Sequence, residues 1–302
     1  MSVLAIIAAL VIEQWRPIGD RKAYFALLAS AATWLERNFN AGEARQGAVA
    51  WLIATLPPVC GAALLHWLFM RAGFVFALAF DIAVLYLTLG FRQSSHFFTD
   101  IRLALDAGDL DKARSLIAEW RGESTVARSR EEVIRLAIEQ ALLASHRHVF
   151  GVLLWYLVLP GPSGAILYRL AAFLCKRWAA MGAFGRFAER VFAVLEWPAV
   201  RLTATVFALV GDFEDAVYCW RSQAHAWKDP YAGIVLATGA GAMGVRLGSS
   251  LQQLEGVELR PDLGVGDAAD RPHLESTIGL VWRALVLWVF ALMVFTAVRL
   301  IG

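Results

Sequence analysis

Thiols are scarce in this chain: three cysteines, Cys60, Cys175 and Cys219, are spread over 302 residues with no CxxC pair among them. That excludes a zinc or dithiol site built on paired thiols, and the odd count excludes a fully paired disulfide frame. They read instead as small buried hydrophobes. Charge is scarce as well, at 18% Asp, Glu, Lys and Arg with a formal net charge of +2. No run of Lys and Arg alternates with aromatics, so no nucleic-acid partner is expected. The first apolar stretch, SVLAIIAALVIE at residues 2–13, lacks the basic start and small-residue cleavage site of a secretory signal and is expected to be retained.

Apolar residues are abundant. Hydrophobic side chains make up 59% of the sequence, with 12 Trp and 18 Phe, and the mean hydropathy is +0.56. Such a composition predicts an all-α fold, a polytopic α-helical integral membrane protein with lipid as its surroundings. Residues 46–70 carry no formal charge and form the clearest span, with a kink expected at Pro57 and Pro58. A second span is expected over residues 72–91, a third, interrupted one over 149–174, a fourth over 191–211 and a last over 277–298. Within these spans lie four charges, Asp81, Glu196, Arg201 and Arg283. Because a charge in the hydrocarbon region is costly without a counter-charge, Asp81 is expected to pair with at least one of Arg169, Arg201 and Arg283.

Between the spans the pattern changes. Residues 16–45 place Arg16, Arg21, Lys22, Arg37 and Arg45 among apolar positions, as an interfacial amphipathic helix does. Residues 92–148 are charged and periodic at three to four residues, which predicts a helical extramembrane module of three short helices. Gly108 is placed to end one of them and Asp109 to cap the next, while Ser129 with Glu132 forms a capping box. Lys and Arg are frequent in the loops 16–45, 92–148 and 212–277, which places that face in the cytoplasm. The resulting division is 1–91 for the N-terminal membrane segments, 92–148 for the helical module and 149–302 for a second membrane region with a glycine-rich segment at 229–251.

Two motifs bear on chemistry. The first is ASHRHVFGVLLWYLVLPGPSGAILYR at 144–169, where a polar turn leads into an apolar span broken at Pro160, Gly161 and Pro162. Non-helical backbone at membrane depth needs protein or a wet cavity to satisfy its polar groups, so a ligand cavity is expected there. The polar turn holds no carboxylate, so His146, Arg147 and His148, with Arg169 beyond the break, suit an anionic small molecule better than a metal. The second is GAGAMG, with Gly239, Gly241 and Gly244 in GxGxxG spacing. No βαβ unit surrounds it; Gly233, Ala237, Gly241, Gly244 and Gly248 recur at helical spacing, as in a small-residue packing stripe. An anion-binding glycine loop beside Arg246 is the alternative.

Several stretches together resemble a known family: DAGDLDKAR at 106–114, EEVIRLAIEQ at 131–140, GPSGAILYR at 161–169, VRLTATVFALVG at 200–211 and DPYAGIVLATGAGAMGVRLGSSL at 229–251. In that order they resemble the CobD/CbiB membrane family of cobalamin biosynthesis. The resemblance implies a bacterial inner-membrane, multi-pass protein that condenses adenosylcobyric acid with an aminopropanol phosphate, with ATP and Mg²⁺. The sequence departs from the enzymatic pattern where EN, Asp-Gly and NTLD motifs are expected, with Ala144, Ser145, His146, Arg147 and His148 at the first two and Ala172 and Cys175 at the third. Read on those departures, the chain is similar to AmpE, a regulatory inner-membrane relative. The expectation is therefore a non-catalytic regulator with no cofactor, a retained anionic-ligand cavity and a homodimer or membrane protein as partner. The alternative is an adenosylcobinamide-phosphate synthase with a rebuilt site.

Overall fold

The computed structural model describes residues 2–15, 22–122, 129–249, 251–253, 256–258 and 260–301. Along the chain run α1 (Ser2–Trp15), α2 (Lys22–Phe39), α3 (Ala44–Ala72), α4 (Phe74–Thr88), α5 (Phe91–Asp106), α6 (Leu110–Arg121) and α7 (Arg130–Ser145). A single π-helical turn (His146–Phe150) leads into α8 (Gly151–Val158), followed by α9 (Ser163–Trp178), α10 (Arg186–Val210), α11 (Phe213–Gln223), a short 3₁₀ turn (Ala224–Ala226) and α12 (Pro230–Met243). Five short strands follow, β1 (Val245–Gly248), β2 (Leu251–Gln253), β3 (Gly256–Glu258), β4 (Asp262–Leu263) and β5 (Asp267–Ala268), before the closing α13 (Arg271–Ile301). β1 pairs antiparallel with β4 and parallel with β5, and β2 pairs with β3. The architecture is that of an all-α membrane protein with two small sheets, one of three strands and one of two. Among the described residues four helical stretches are long and apolar enough to cross a membrane: Ala44–Ala72, Arg130–Val158, Arg186–Val210 and Arg271–Val298.

The chain forms two compact units, each assembled from two stretches: Met1–Leu89 with Gly151–Pro198, and Gly90–Phe150 with Ala199–Gly302. In the first, Pro57 and Pro58 lie inside α3, and Gly73 at φ +147° separates α3 from the 15-residue α4, which is shorter than the span expected there. The break after α8 runs from Leu159 to Pro162. Gly161 adopts φ +57° and lies against the His66 ring, and Gly164 approaches the Trp155 carbonyl so closely that neither position has room for a side chain. α2 is helical from Lys22, whereas Arg16 and Arg21, part of the interfacial reading, lie outside the described residues.

In the second unit the helix signals act as written. Gly108 (φ +76°) closes the turn after α5, the Asp109 carboxylate accepts from Lys112 N, and Ser129 and Glu132 cap α7 reciprocally. Each such cap contributes about 1 kcal/mol. The third helix of the expected module does not stop at residue 148, however. No Pro or Gly occurs between Arg130 and Phe150, so the backbone has no reason to break, and α7, the π turn and α8 form one continuous stretch.

The glycine-rich segment resolves into a helix and its cap. α12 begins at the N-cap Asp229 with Pro230 in its first turn and ends at Gly244, which is left-handed at φ +64°. That placement excludes a strand-to-helix phosphate loop and corrects two expectations. Gly244 is not a packing contact, because a Cβ there would meet nothing within 4 Å; its glycine serves the positive φ. Gly248 belongs to β1 rather than to a helix stripe. Close packing falls on Gly233, against the Ala224 carbonyl, and on Gly241, where a Cβ would lie 2.5 Å from Asp215 O and 2.8 Å from Ala216 Cα. Gly241→Ala should therefore lower stability by about 1–3 kcal/mol through overpacking. Gly61→Ala, in α3 with open space around it, should be neutral or raise stability by up to about 1 kcal/mol through helix propensity. Thermal unfolding of the two variants in detergent separates the cases; equal effects would refute the packing assignment.

Cys219 is fully buried on α11. Burial pushes its thiol up to about 11, with Asp215 adding to the rise, so the thiolate is nearly absent at neutral pH. Iodoacetamide at pH 7.5 should leave Cys219 unmodified in the folded protein, and alkylation there without unfolding would contradict this environment.

Candidate functional site

Three of the expected ligand residues are brought together by the π turn, each facing a different element of the second unit. π turns widen the helix and recur at functional sites. His146 is 1% exposed, and its Nδ1 lies 2.9 Å from Thr203 Oγ1 on α10. The Thr203 hydroxyl donates to the Ala199 carbonyl, so the imidazole Nδ1–H donates to Thr203. His148 Nδ1 lies 3.4 Å from Ser94 Oγ on α5; Ser94 in turn donates to the Gly90 carbonyl, which leaves Nε2 of a neutral His148 as the basic nitrogen. Arg147 Nη2 donates to Asp229 Oδ2 at 3.2 Å. Each histidine is thus oriented by a hydroxyl, His146 buried and His148 half-buried.

Asp229 was not singled out from sequence. Its Oδ1 accepts from Tyr231 N at 3.0 Å, so the carboxylate both caps α12 and receives Arg147. The Arg147–Asp229 pair is part-exposed, at 38% and 45% of the two side chains. The sequence signal was available: an Asp followed by Pro ahead of an apolar run is an N-cap, but a cap alone does not announce a long-range partner.

Elsewhere in this unit Glu139 of α7 is buried among cations. Its Oε1 accepts from Gly248 N at 2.9 Å, Arg260 Nη2 bonds its Oε2, and Arg121 Nη1 stands 4.0 Å from the same oxygen. The Arg260 guanidinium also lies over the Trp227 ring at 4.6 Å. Arg246, the expected anion ligand of the glycine segment, is exposed on β1.

In the first unit the two acids expected within spans accept hydrogen bonds from imidazole and phenol donors. Asp81 Oδ1 lies 2.8 Å from His66 Nδ1, and its Oδ2 accepts from Tyr156 OH at 2.9 Å. Glu196 accepts from Tyr168 OH at 2.6 Å. The expectation of an Asp81–arginine pair is therefore corrected: the partners of Asp81 are a histidine one helix back and a tyrosine on α8. Arg169 sits half-buried on α9 of this unit, whereas Arg147 belongs to the other. Arg201 is half-buried, and Arg283 is exposed with its Nε on the Gly279 carbonyl at 3.2 Å.

Among the described residues no group of three or more His, Cys, Asp and Glu side chains is placed to hold a metal ion. The acids nearest the polar clusters are already engaged, Glu139 by Arg260 and Gly248 and Asp229 by Arg147 and Tyr231 N. These residues do not make the oxygen cage of a resident Mg²⁺.

The chain matches the family model for CobD/Cbib protein over residues 6–281. It is 36% identical over 304 residues to a protein of Stutzerimonas stutzeri named cobalamin biosynthesis protein CobD, covering 97% of this chain and 98% of that protein. A Chromobacterium violaceum protein of the same name is 33% identical over 94% of this chain and 87% of its own length. A third, from Leptospira interrogans, is 25% identical over 66% and 64%. No solved structure matches. These relatives overturn the expected non-catalytic regulator of the AmpE type, and the pseudoenzyme reading with it: proteins matching nearly end to end carry the name of a biosynthesis protein. Asp229 brings a carboxylate to the π turn from 82 residues away in sequence, where it receives Arg147. With a family match across most of the chain, this protein belongs to the CobD/CbiB family.

Proposed function

We propose that this protein is the amide-forming enzyme of cobalamin biosynthesis that the family resemblance implies, joining adenosylcobyric acid to an aminopropanol phosphate with consumption of ATP. The observation that carries the reading is the 36% identity to a protein named cobalamin biosynthesis protein CobD over 97% of the chain. The setting is the bacterial inner membrane, crossed several times, with lipid around the apolar helices; the proposed partner is a second copy of the chain or another membrane protein, not nucleic acid.

Amines do not displace oxygen from a carboxylate unaided, so a phosphoryl group from ATP must first make that oxygen a leaving group. The attacking amine must also be neutral. His148, held through Nδ1 by Ser94, takes the ammonium proton on Nε2. Arg147, fixed by Asp229, binds an anionic oxygen of the substrate with its remaining donors. His146, buried on Thr203, positions the turn, and Arg246 of the same unit is proposed as a further anion contact, whereas Arg169, in the first unit, is given no role at this turn.

The test is complementation. A bacterial strain lacking adenosylcobinamide-phosphate synthase and carrying this gene should regain cobalamin-dependent growth, and should lose it again with His148→Ala. Expression of stable protein without any growth would overturn the reading.

A further inference from the structure

The Glu139 cluster includes a buried cation with no acceptor among the described residues. Arg135 precedes Glu139 by one helical turn, so the two share a face of α7. Arg135 is only 7% exposed, its Nε is buried without an acceptor, and it has no ion-pair or hydrogen-bond partner among the described residues. Arg260 is pinned by the Trp227 ring and by Glu139, with its side chain 6% exposed, yet its Nη1 is also buried without an acceptor. The guanidinium groups of Arg121 and Arg260 therefore gather on the Glu139 carboxylate, with Arg135 one helical turn away on the same face of α7.

Structure alone does not favour this arrangement. A buried donor without an acceptor destabilises the fold, and a buried cation without a counter-charge does so more strongly. A packing role for Arg135 would be served better by methionine or leucine. What the arrangement does favour is a doubly charged, multi-oxygen anion, which accepts from several guanidinium edges at once and restores neutrality. Arg260 is preorganised for this, since ring and carboxylate fix its plane before any ligand arrives.

We propose that Arg135 and Arg260, with Arg121 beside them, form a binding site for the phosphoryl group of a soluble small molecule. The site is separate from the π turn and does not depend on the amide-forming reading.

The test is thermal unfolding of the purified full chain in detergent, followed by tryptophan fluorescence. Inorganic phosphate is titrated against chloride at equal ionic strength. Phosphate should raise Tm in the wild type and in Lys112→Gln, an exposed control, with a logarithmic dependence on concentration. Arg135→Met should raise the basal Tm and abolish the phosphate response. Arg135→Lys, which keeps the charge and loses the planar fork, should fold and weaken apparent phosphate affinity by roughly tenfold or more. A response to phosphate no greater than to chloride, or one retained in both Arg135 variants, would overturn the site. Protection by phosphatidylglycerol in the micelle but not by inorganic phosphate would overturn its assignment to a soluble ligand.

Discussion

Replacing Glu139 with alanine should cost about 3–5 kcal/mol, the range for removing one partner of a buried ion pair, and so take up a large part of a net stability of about 5–15 kcal/mol. Three effects combine. Arg260 keeps its place over Trp227 but loses its counter-charge. The Gly248 N–H loses its acceptor. Arg121, already 4.0 Å away, is left in a more positive surrounding. Because Glu139 is reached from α6, from β1 and from the stretch after β3, its loss also loosens elements with no other polar tie to α7 among those described above. Glu139→Gln, which keeps an acceptor for Gly248, should cost less than alanine. Yield of folded protein and Tm in detergent measure both, and an alanine variant within about 1 kcal/mol of wild type would show the cluster to be a surface pair in effect.

Arg147→Ala should behave in the opposite way. Its pair with Asp229 is part-exposed, so solvent screening limits the structural contribution to about 0–1 kcal/mol and Tm should hardly move. Product formation should fall by about 10²-fold or more, the scale for losing a charged group that orients or stabilises the reacting centre. Arg147→Lys should recover only part of the rate, because an ammonium cannot reproduce the planar fork. A normal rate in Arg147→Ala would remove the π turn from the proposed chemistry.

Local features of the fold were readable in advance because local rules govern them. Asp109, Ser129 with Glu132, and Gly108 act within a few residues of themselves. Pro160, Gly161 and Pro162 likewise carry their own reason to interrupt a helix. Partners across long separations were not readable. Tyr156 and Asp81 are 75 residues apart and Arg260 and Glu139 are 121 apart, and nothing in either local sequence names the other. The GxGxxG spacing misled in a specific way: helical periodicity treats all its glycines alike, whereas the chain uses Gly241 for close approach and Gly244 for a left-handed cap. The continuity of α7 into α8 was hidden by polarity. His146, Arg147 and His148 look like a loop by composition, yet none breaks a helix, and the π turn absorbs them.

The most direct test of the central claim uses the purified full chain in detergent or nanodiscs with adenosylcobyric acid, an aminopropanol phosphate, ATP and Mg²⁺, followed by mass spectrometry. The reading predicts a product with the mass of the amide, formed only when all organic substrates are present and strongly reduced by Arg147→Ala. Folded, monodisperse protein that consumes neither ATP nor amine and yields no amide would contradict it.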